Sequence, residues 1–283
     1  MPTRGSSAEV WGKQRCLVVE ALASLASMST YPHLQFVVVA DSDTSTAVLD
    51  RLRAEHGDRL RLVDFSEPFN FSAKINLGAR HADGEVLLLL NDDTELVEPA
   101  SIEAMIDLLA QDVGIVGARL WYSDGTMQHA GHVYPGLCTH ALLGYPGDHP
   151  GPSNMAAVER ECSGVTAAAA AITRTVFEEL GGFDEAFAGN FNDVDLCLRV
   201  GRSGRRVLWT PHATWYHFES ASRDPSTTDA ERDLLLARWA PQITHDPYHH
   251  PLLAPHRSDW LERPGHSGSP PWYLDGGGRR RYV

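Results

Sequence analysis

Between residues 36 and 93 the chain alternates short apolar runs with helix-patterned segments, and two of the runs stop dead at carboxylates. Phe36, the three valines after it and Ala40 read as a buried parallel strand ending at Asp41; residues 46–56 read as a helix, and 60–63 as a second strand. Residues 72–81 have the pattern of a short helix capped by Ser72 and closed by Asp83-Gly84. Residues 85–90 form another apolar strand, which runs into Asn91-Asp92-Asp93. Strands separated by helices must lie parallel, because a helix crossover returns the chain to the same edge. The predicted fold class is therefore α/β, a mostly parallel central sheet flanked by helices, with ligands held beyond the carboxyl ends of the strands. Asp41 and Asp92-Asp93 both stand at such ends.

The flanking regions extend this pattern and then break it. Residues 16–25 place Leu17, Ala21, Leu22 and Leu25 at helical spacing. Residues 99–110 read as a helix and 114–120 as a strand, and Ser123-Asp124-Gly125 signals a hairpin, where the parallel order ends. A Pro/Gly-rich loop over 134–152 precedes a second apolar region at 165–172. Residues 175–180 stop at Gly181-Gly182, and 193–201 form a helix with Val194, Cys197 and Leu198 facing inward. Residues 207–210 and 214–217 are expected as two short strands around Pro211. From residue 241 the chain is rich in Pro, His and Gly, a composition that favours loop.

A length of 283 residues with 43% hydrophobic content suits one large domain, divided here as 1–240 with a C-terminal extension over 241–283. Within the domain, 1–120 is expected to be a ligand-binding half and 121–240 a second half that completes the site. The formal charge of −13 argues against nucleic acid as a partner. Cys16, Cys138, Cys162 and Cys197 form no CxxC pair, so a reducing compartment fits. The apolar run 86–90 is far below the ~20 residues of a membrane span. A cytoplasmic location is expected, with room for peripheral contact at the inner face of the membrane.

The residues alone leave two readings at each candidate site. Asn91-Asp92-Asp93 is either a polar strand-end turn or a pair of carboxylates able to share a hard divalent cation with a diphosphate. Asp193, in Asn192-Asp193-Val194-Asp195, is either a helix cap or a carboxylate that the positive end of the macrodipole stabilises for another role; Asp195 points elsewhere, into a structural contact. His217 is either a packed histidine or a neutral imidazole ligand. The group His245, His249, His250 and His256 lacks metal-ligand spacing and reads as structural or incidental.

Taken in order, seven segments resemble glycosyltransferase family 2, the bacterial polysaccharide and rhamnosyltransferase-like enzymes of the GT-A fold. They are Pro2-Thr3-Arg4; the strand ending at Asp41; Phe69-Asn70-Phe71-Ser72-Ala73-Lys74-Ile75-Asn76-Leu77-Gly78; Leu90-Asn91-Asp92-Asp93-Thr94-Glu95; Asp124-Gly125-Thr126-Met127-Gln128-His129-Ala130-Gly131; Gly181-Gly182-Phe183-Asp184-Glu185 with Asn192-Asp193-Val194-Asp195-Leu196-Cys197-Leu198-Arg199; and His217-Phe218-Glu219-Ser220-Ala221-Ser222-Arg223. The resemblance covers residues 1–223. It implies that Pro2, Thr3, Asp41 and Asn70 surround a nucleotide base and that Asp92 approaches the ribose. Asp93, matching the last acid of the family's D-x-D signature, would hold Mg²⁺ or Mn²⁺ with His217 completing the shell. Asp193 would be the catalytic base, and Lys74 and Arg223 auxiliary cations. The implied activity is inverting transfer of a sugar from a UDP-, dTDP- or GDP-linked donor to a hydroxyl of a glycan or glycolipid in polysaccharide or cell-wall assembly.

Three departures bear on that expectation. Asn91 replaces the first acid of D-x-D, and Asn192 stands where many members have Glu. Members also carry a full apolar strand before Pro-Thr, whereas Met1 stands there here, so the first strand is largely missing; a polypeptide starting at Met1 would be less stable and bind donor more weakly. These features motivate the competing reading, a non-catalytic relative that binds a nucleotide sugar or a partner enzyme. A phosphohydrolase using Asp92 or Asp93 as nucleophile ranks third, since it leaves Asp193 and His217 unexplained.

Overall fold

The computed structural model describes residues 1–218, 228–254 and 257–262. The chain opens with β1 (Pro2–Thr3), a hairpin of β2 (Ser7–Val10) and β3 (Lys13–Cys16), and α1 (Leu17–Met28). Next come β4 (Phe36–Asp41), α2 (Thr46–His56), β5 (Leu60–Phe65), α3 (Phe71–His81) and β6 (Val86–Leu90). β7 (Thr94–Leu96), α4 (Ser101–Ile106), β8 (Val113–Trp121), β9 (Met127–His129), β10 (His132–Val133) and β11 (Thr139–His140) follow. The remainder is β12 (Arg160–Glu161), β13 (Ala169–Thr173), α5 (Arg174–Glu179), α6 (Asn192–Arg202), β14 (Arg206–His217) and α7 (Asp229–Thr244).

The predicted parallel order holds for β1, β4 and β5, which form a parallel sheet with Thr3 opposite Ala40 and Asp41 opposite Phe65, whereas β6 pairs antiparallel in another sheet. β1 spans Pro2–Thr3 and sets Thr3 against the carboxyl end of β4. A second sheet, ordered β12-β14-β8-β13-β6, mixes directions: β14 and β8 run parallel, while β13 lies antiparallel to both β8 and β6. The hairpin signalled by Ser123-Asp124-Gly125 joins β8 to β9.

Side-chain alternation along the strands explains why this sheet is covered on both faces. Ala170 and Ile172 of β13 enter one core with Leu87, Leu89, Ile115 and Trp209; Ala169 and Ala171 enter the other with Val18, Leu22, Val116 and Trp215. α3 lies close over β4 because residue 78 is glycine, where a Cβ would sit 3.1 Å from Val39 Cγ2. That approach carries Lys74 of α3 to the end of β4. No helix among the described residues is long and apolar enough to cross a membrane.

Several expected boundaries move. α3 is capped by Asn70, whose Oδ1 accepts from Ala73 N–H at 3.0 Å, and not by Ser72, which is buried and donates to Phe187 O at 2.6 Å. Pro211 does not divide two strands: β14 runs through it with an irregular register between Trp209 and Thr214. Leu198 is half-buried, and Leu196 and Val200 fill the inner face of α6 in its place. α7 occupies a region expected to end in loop at residue 241, and Pro241 lies inside it. Leu235, Trp239 and Ile243 make an i, i+4, i+8 stripe packed on Tyr134, Phe187 and Val194, each burial stabilising by roughly 1.5–3 kcal/mol. The described part of the C-terminal extension folds back on the second half: Asp246 accepts from Tyr134 N–H at 2.7 Å, and Ser258 O from Leu142 N–H at 3.0 Å.

Candidate active site

Beyond the carboxyl ends of β1 and β6 lies a cavity of about 340 Å³. Pro2, Thr3, Lys74, Asp92, Asp93, Asp193 and His217 all line it. Asp41 and Asn70 stand behind this wall. Asp41 Oδ1 pairs with Lys74 Nζ at 2.5 Å and its Oδ2 with Arg4 Nε at 2.9 Å; Asn70 Nδ2 donates to Glu185 O at 2.8 Å while capping α3. Arg223 lies outside the described residues.

The strand end after β6 is electrostatically tense. Asp92 and Asp93 are adjacent buried acids; Asp92 is pushed up to about 7, first by burial and then by the charge of Asp93. Thr3 Oγ1 opposes this by donating to Asp92 Oδ2 at 2.6 Å. Lys74, almost fully buried, is drawn down by burial against the pull of Asp41, and its Nζ also donates to Thr3 O at 3.3 Å.

β7 and β14 bring the second ligand candidate to this carboxylate. They pair with His217 opposite Thr94, and Phe218 N–H donates to Asp93 O at 2.8 Å. His217 Nε2 thereby comes within 3.1 Å of Asp93 Oδ1 and 3.2 Å of Asn91 Nδ2. On the ring's other side Nδ1 meets Gln128 Oε1 at 2.7 Å. With the amide oriented that way Nδ1 carries the proton, which makes Nε2 an acceptor, met by Asn91 Nδ2 and facing a carboxylate oxygen. Two acceptors at this separation, with Asn91 Oδ1 buried nearby and without a hydrogen-bond partner among the described residues, suit a hard divalent cation. The residues present thus fit the group, and Asn91 retains an oxygen in place of the missing acid.

Asp193 sits at the first turn of α6 but does not cap it. The flanking Phe191 is left-handed (φ 59°), a conformation that costs about 1 kcal/mol or more for a non-glycine residue and re-aims the chain as it enters the helix. Asp193 Oδ1 accepts from Val194 N–H at 2.8 Å and Oδ2 from Ala167 N–H at 3.2 Å, so two backbone donors fix the carboxylate at the cavity wall. Asp195 makes the structural contacts expected of it: buried, it holds Arg199 at 2.7 Å and Trp239 Nε1 at 2.9 Å, joining α6 to α7.

Sequence reasoning missed four contributors. Gln128 sets the His217 tautomer, and its place in Met127-Gln128-His129 was the available signal. Glu231 of α7 accepts from Gly189 and Asn190 N–H at 2.8 and 3.0 Å, fixing two cavity-lining residues. His132 and His140 also line the cavity. The later histidines do not gather: His245 Nδ1 meets Pro241 O and His249 Nε2 meets Arg257 O, while His256 lies outside the described residues.

A helix-covered α/β sheet with acids at a strand end and a further acid at a helix start across the same cavity defines the GT-A class. Solved structures agree on the fold. One is the mannosyltransferase PcManGT of Pyrobaculum calidifontis in complex with GDP-Man and Mn²⁺ (TM-score 0.53, 19% identical, 84% of this chain and 59% of that one). Another is GalNAc-T7 with UDP, GalNAc and Mn²⁺ (TM-score 0.60, 13% identical, 80% and 45%). The chain belongs to glycosyltransferase-like family 2, whose model matches residues 11–240.

Among relatives, protein y4gI of Sinorhizobium fredii is 35% identical over 264 residues, 89% of this chain and 28% of its own length. The O-antigen biosynthesis protein RfbC of Myxococcus xanthus is 35% identical over 237 residues, 81% and 19%. The N-acetylglucosaminyl-diphospho-decaprenol L-rhamnosyltransferase of Mycobacterium tuberculosis is 24% identical over 232 residues, 72% and 74%. The chain therefore spans less than a third of the first two relatives.

Proposed function

We propose that this chain is an inverting glycosyltransferase, which moves a sugar from a nucleotide diphosphate donor to a hydroxyl of a glycan or glycolipid during polysaccharide or cell-wall assembly. One observation carries the reading: a single cavity is shared by Asp93 with His217 and by an oriented carboxylate, Asp193, on a different element. The relatives named for O-antigen biosynthesis and rhamnosyl transfer support the setting. Its lining acids and its modest volume suit a diphosphate sugar held by part of its length.

In this reading Asp93 and His217 hold Mg²⁺ or Mn²⁺, with Asn91 Oδ1 beside them. When bound, such a cation supplies a Lewis acid for charge on a leaving diphosphate. The chain's own residues do the rest. Pro2, Thr3, Lys74 and Asp92 bind the nucleotide, with Thr3 ordered by its bond to Asp92 and Lys74 held by Asp41. Asp193 accepts the proton of the acceptor hydroxyl as that oxygen attacks the anomeric carbon from the face opposite the diphosphate. Its two backbone donors restrain rotation and leave lone pairs for that proton. A single displacement inverts the anomeric centre.

A panel of UDP-, dTDP- and GDP-linked sugars, assayed for Mn²⁺-dependent binding and hydrolysis, tests this. Turnover should fall by at least about a hundredfold in Asp193→Asn with donor affinity kept. Absence of binding to every donor, or full turnover in Asp193→Asn, would overturn the assignment.

A further inference from the structure

Three histidines outside the diphosphate site converge at the cavity's other wall. His129 ends β9, His132 begins β10 and His140 ends β11. β10 and β11 pair antiparallel with His132 directly opposite His140, and Gly131 (φ 83°) turns the chain so that His129 folds back on both. The ring centroids are 5.0, 4.8 and 4.9 Å apart, with planes 77–83° from one another. One nitrogen from each ring can be chosen so that all three lie within 4.8 Å of one another, and His129 Nδ1 is 2.8 Å from His140 Nδ1.

We propose that His129, His132 and His140 form a second metal site for a borderline-soft divalent cation, zinc first, with its remaining coordination open to the cavity. A tetrahedral ion bound at 2.0–2.1 Å needs nitrogens about 3.3 Å apart, a spacing that the present separations bracket. Small side-chain rotations would close the set, because the strand register already fixes the three Cα positions. Hydrogen bonding does not satisfy His132. His132 Nδ1 is buried without a partner among the described residues, a costly state for a polar atom. Burial also holds His129 and His132 far down, the latter to about 3, so at neutral pH both rings are neutral. Neutral imidazoles that do not protonate are poor proton carriers and good ligands for zinc.

Binding has a local consequence. Ligation through His129 Nδ1 moves that ring's proton to Nε2, which gives up the long 3.3 Å contact from Thr166 N–H. Thr166 precedes Ala167, whose N–H orients Asp193. Occupancy of the triad therefore bears on Asp193, which lines the same cavity.

The full chain, stripped with chelator, is titrated with zinc and with cobalt, and X-ray absorption counts the imidazoles on the bound zinc. We expect one equivalent held by three imidazoles, tetrahedral cobalt bands, and retention of both in Asp93→Asn. His140→Gln, at a half-buried position, should weaken binding by at least about tenfold, the cost of even an outer-shell loss. Zinc bound through a single imidazole, or lost in Asp93→Asn, would mean that the diphosphate site alone takes metal and would overturn the proposal, as would no stoichiometric binding. Because the imidazole count is made on the unaltered chain, a variant that fails to fold leaves the test intact. Transfer activity enters none of these readouts, so this result and the proposed function fail separately.

Discussion

Acid should unfold this protein through His132. The side chain is 1% exposed, and burial holds it to about 3 against an ordinary 6.5, so the folded state refuses a proton that the unfolded chain accepts. With a depressed histidine the unfolded state binds more protons below pH 6.5; stability is complete above that value and is lost as pH falls toward 3. Taking the proton linkage from about pH 7.5 to about pH 4, His132 alone removes roughly 3 kcal/mol, a large share of a typical 5–15 kcal/mol domain stability. His129, held down by burial and by the neighbouring histidines, adds to the same loss. The assay is urea unfolding in the presence of chelator at a series of pH values, for the wild type and for His132→Gln. The variant's absolute stability is not the readout; the slope against pH is. Wild type should lose roughly 3 kcal/mol more than the variant over this range. Equal slopes would refute the claim that this ring is neutral in the folded state.

Three further outcomes follow from the packing and hydrogen bonds. Asp195→Ala strands Arg199 and Trp239 Nε1 at the α6–α7 junction and should cost about 3–5 kcal/mol, read as a shift in the urea midpoint. Gly117→Ala places a Cβ 2.3 Å from Val165 Cβ inside the larger core, so chemical denaturation should show a loss of about 1–3 kcal/mol or more; no change would mean that the 165 segment yields freely. Glu231→Gln replaces an acceptor of two backbone N–H groups with a mixed amide and should loosen the cavity wall at Gly189 and Asn190. Steady-state kinetics should then show a raised KM, with stability reduced by about 1–3 kcal/mol.

Much of this molecule was written in local pattern. Val86–Leu90 read as a strand because a run of five apolar residues, short for a buried helix and closed by Asn91, suits a covered sheet. The same logic located β4, α2 and β5, and placed Asp41, Asp92 and Asp93 at strand ends. The acids of α6 could be found by spacing, though their roles could not: Asp193 and Asp195 are two residues apart, yet one faces the cavity and the other is buried against Trp239. A helix turns about 100° per residue, and only the placement of α7 decides which acid meets a partner. That helix was hidden by Pro241, whose ring is unfavourable in a helix interior and was outvoted by the buried stripe of Leu235, Trp239 and Ile243. The juxtapositions that carry chemistry were beyond any local reading. Asp93 and His217 are 124 residues apart in number and meet through the β7–β14 register. His129, His132 and His140 lie on three separate short strands and meet because Gly131 and the β10–β11 pairing fold them onto one another. Local sequence set the elements and their ends through side-chain burial, whereas strand register, a long-range property, decided which side chains face each other across the cavity.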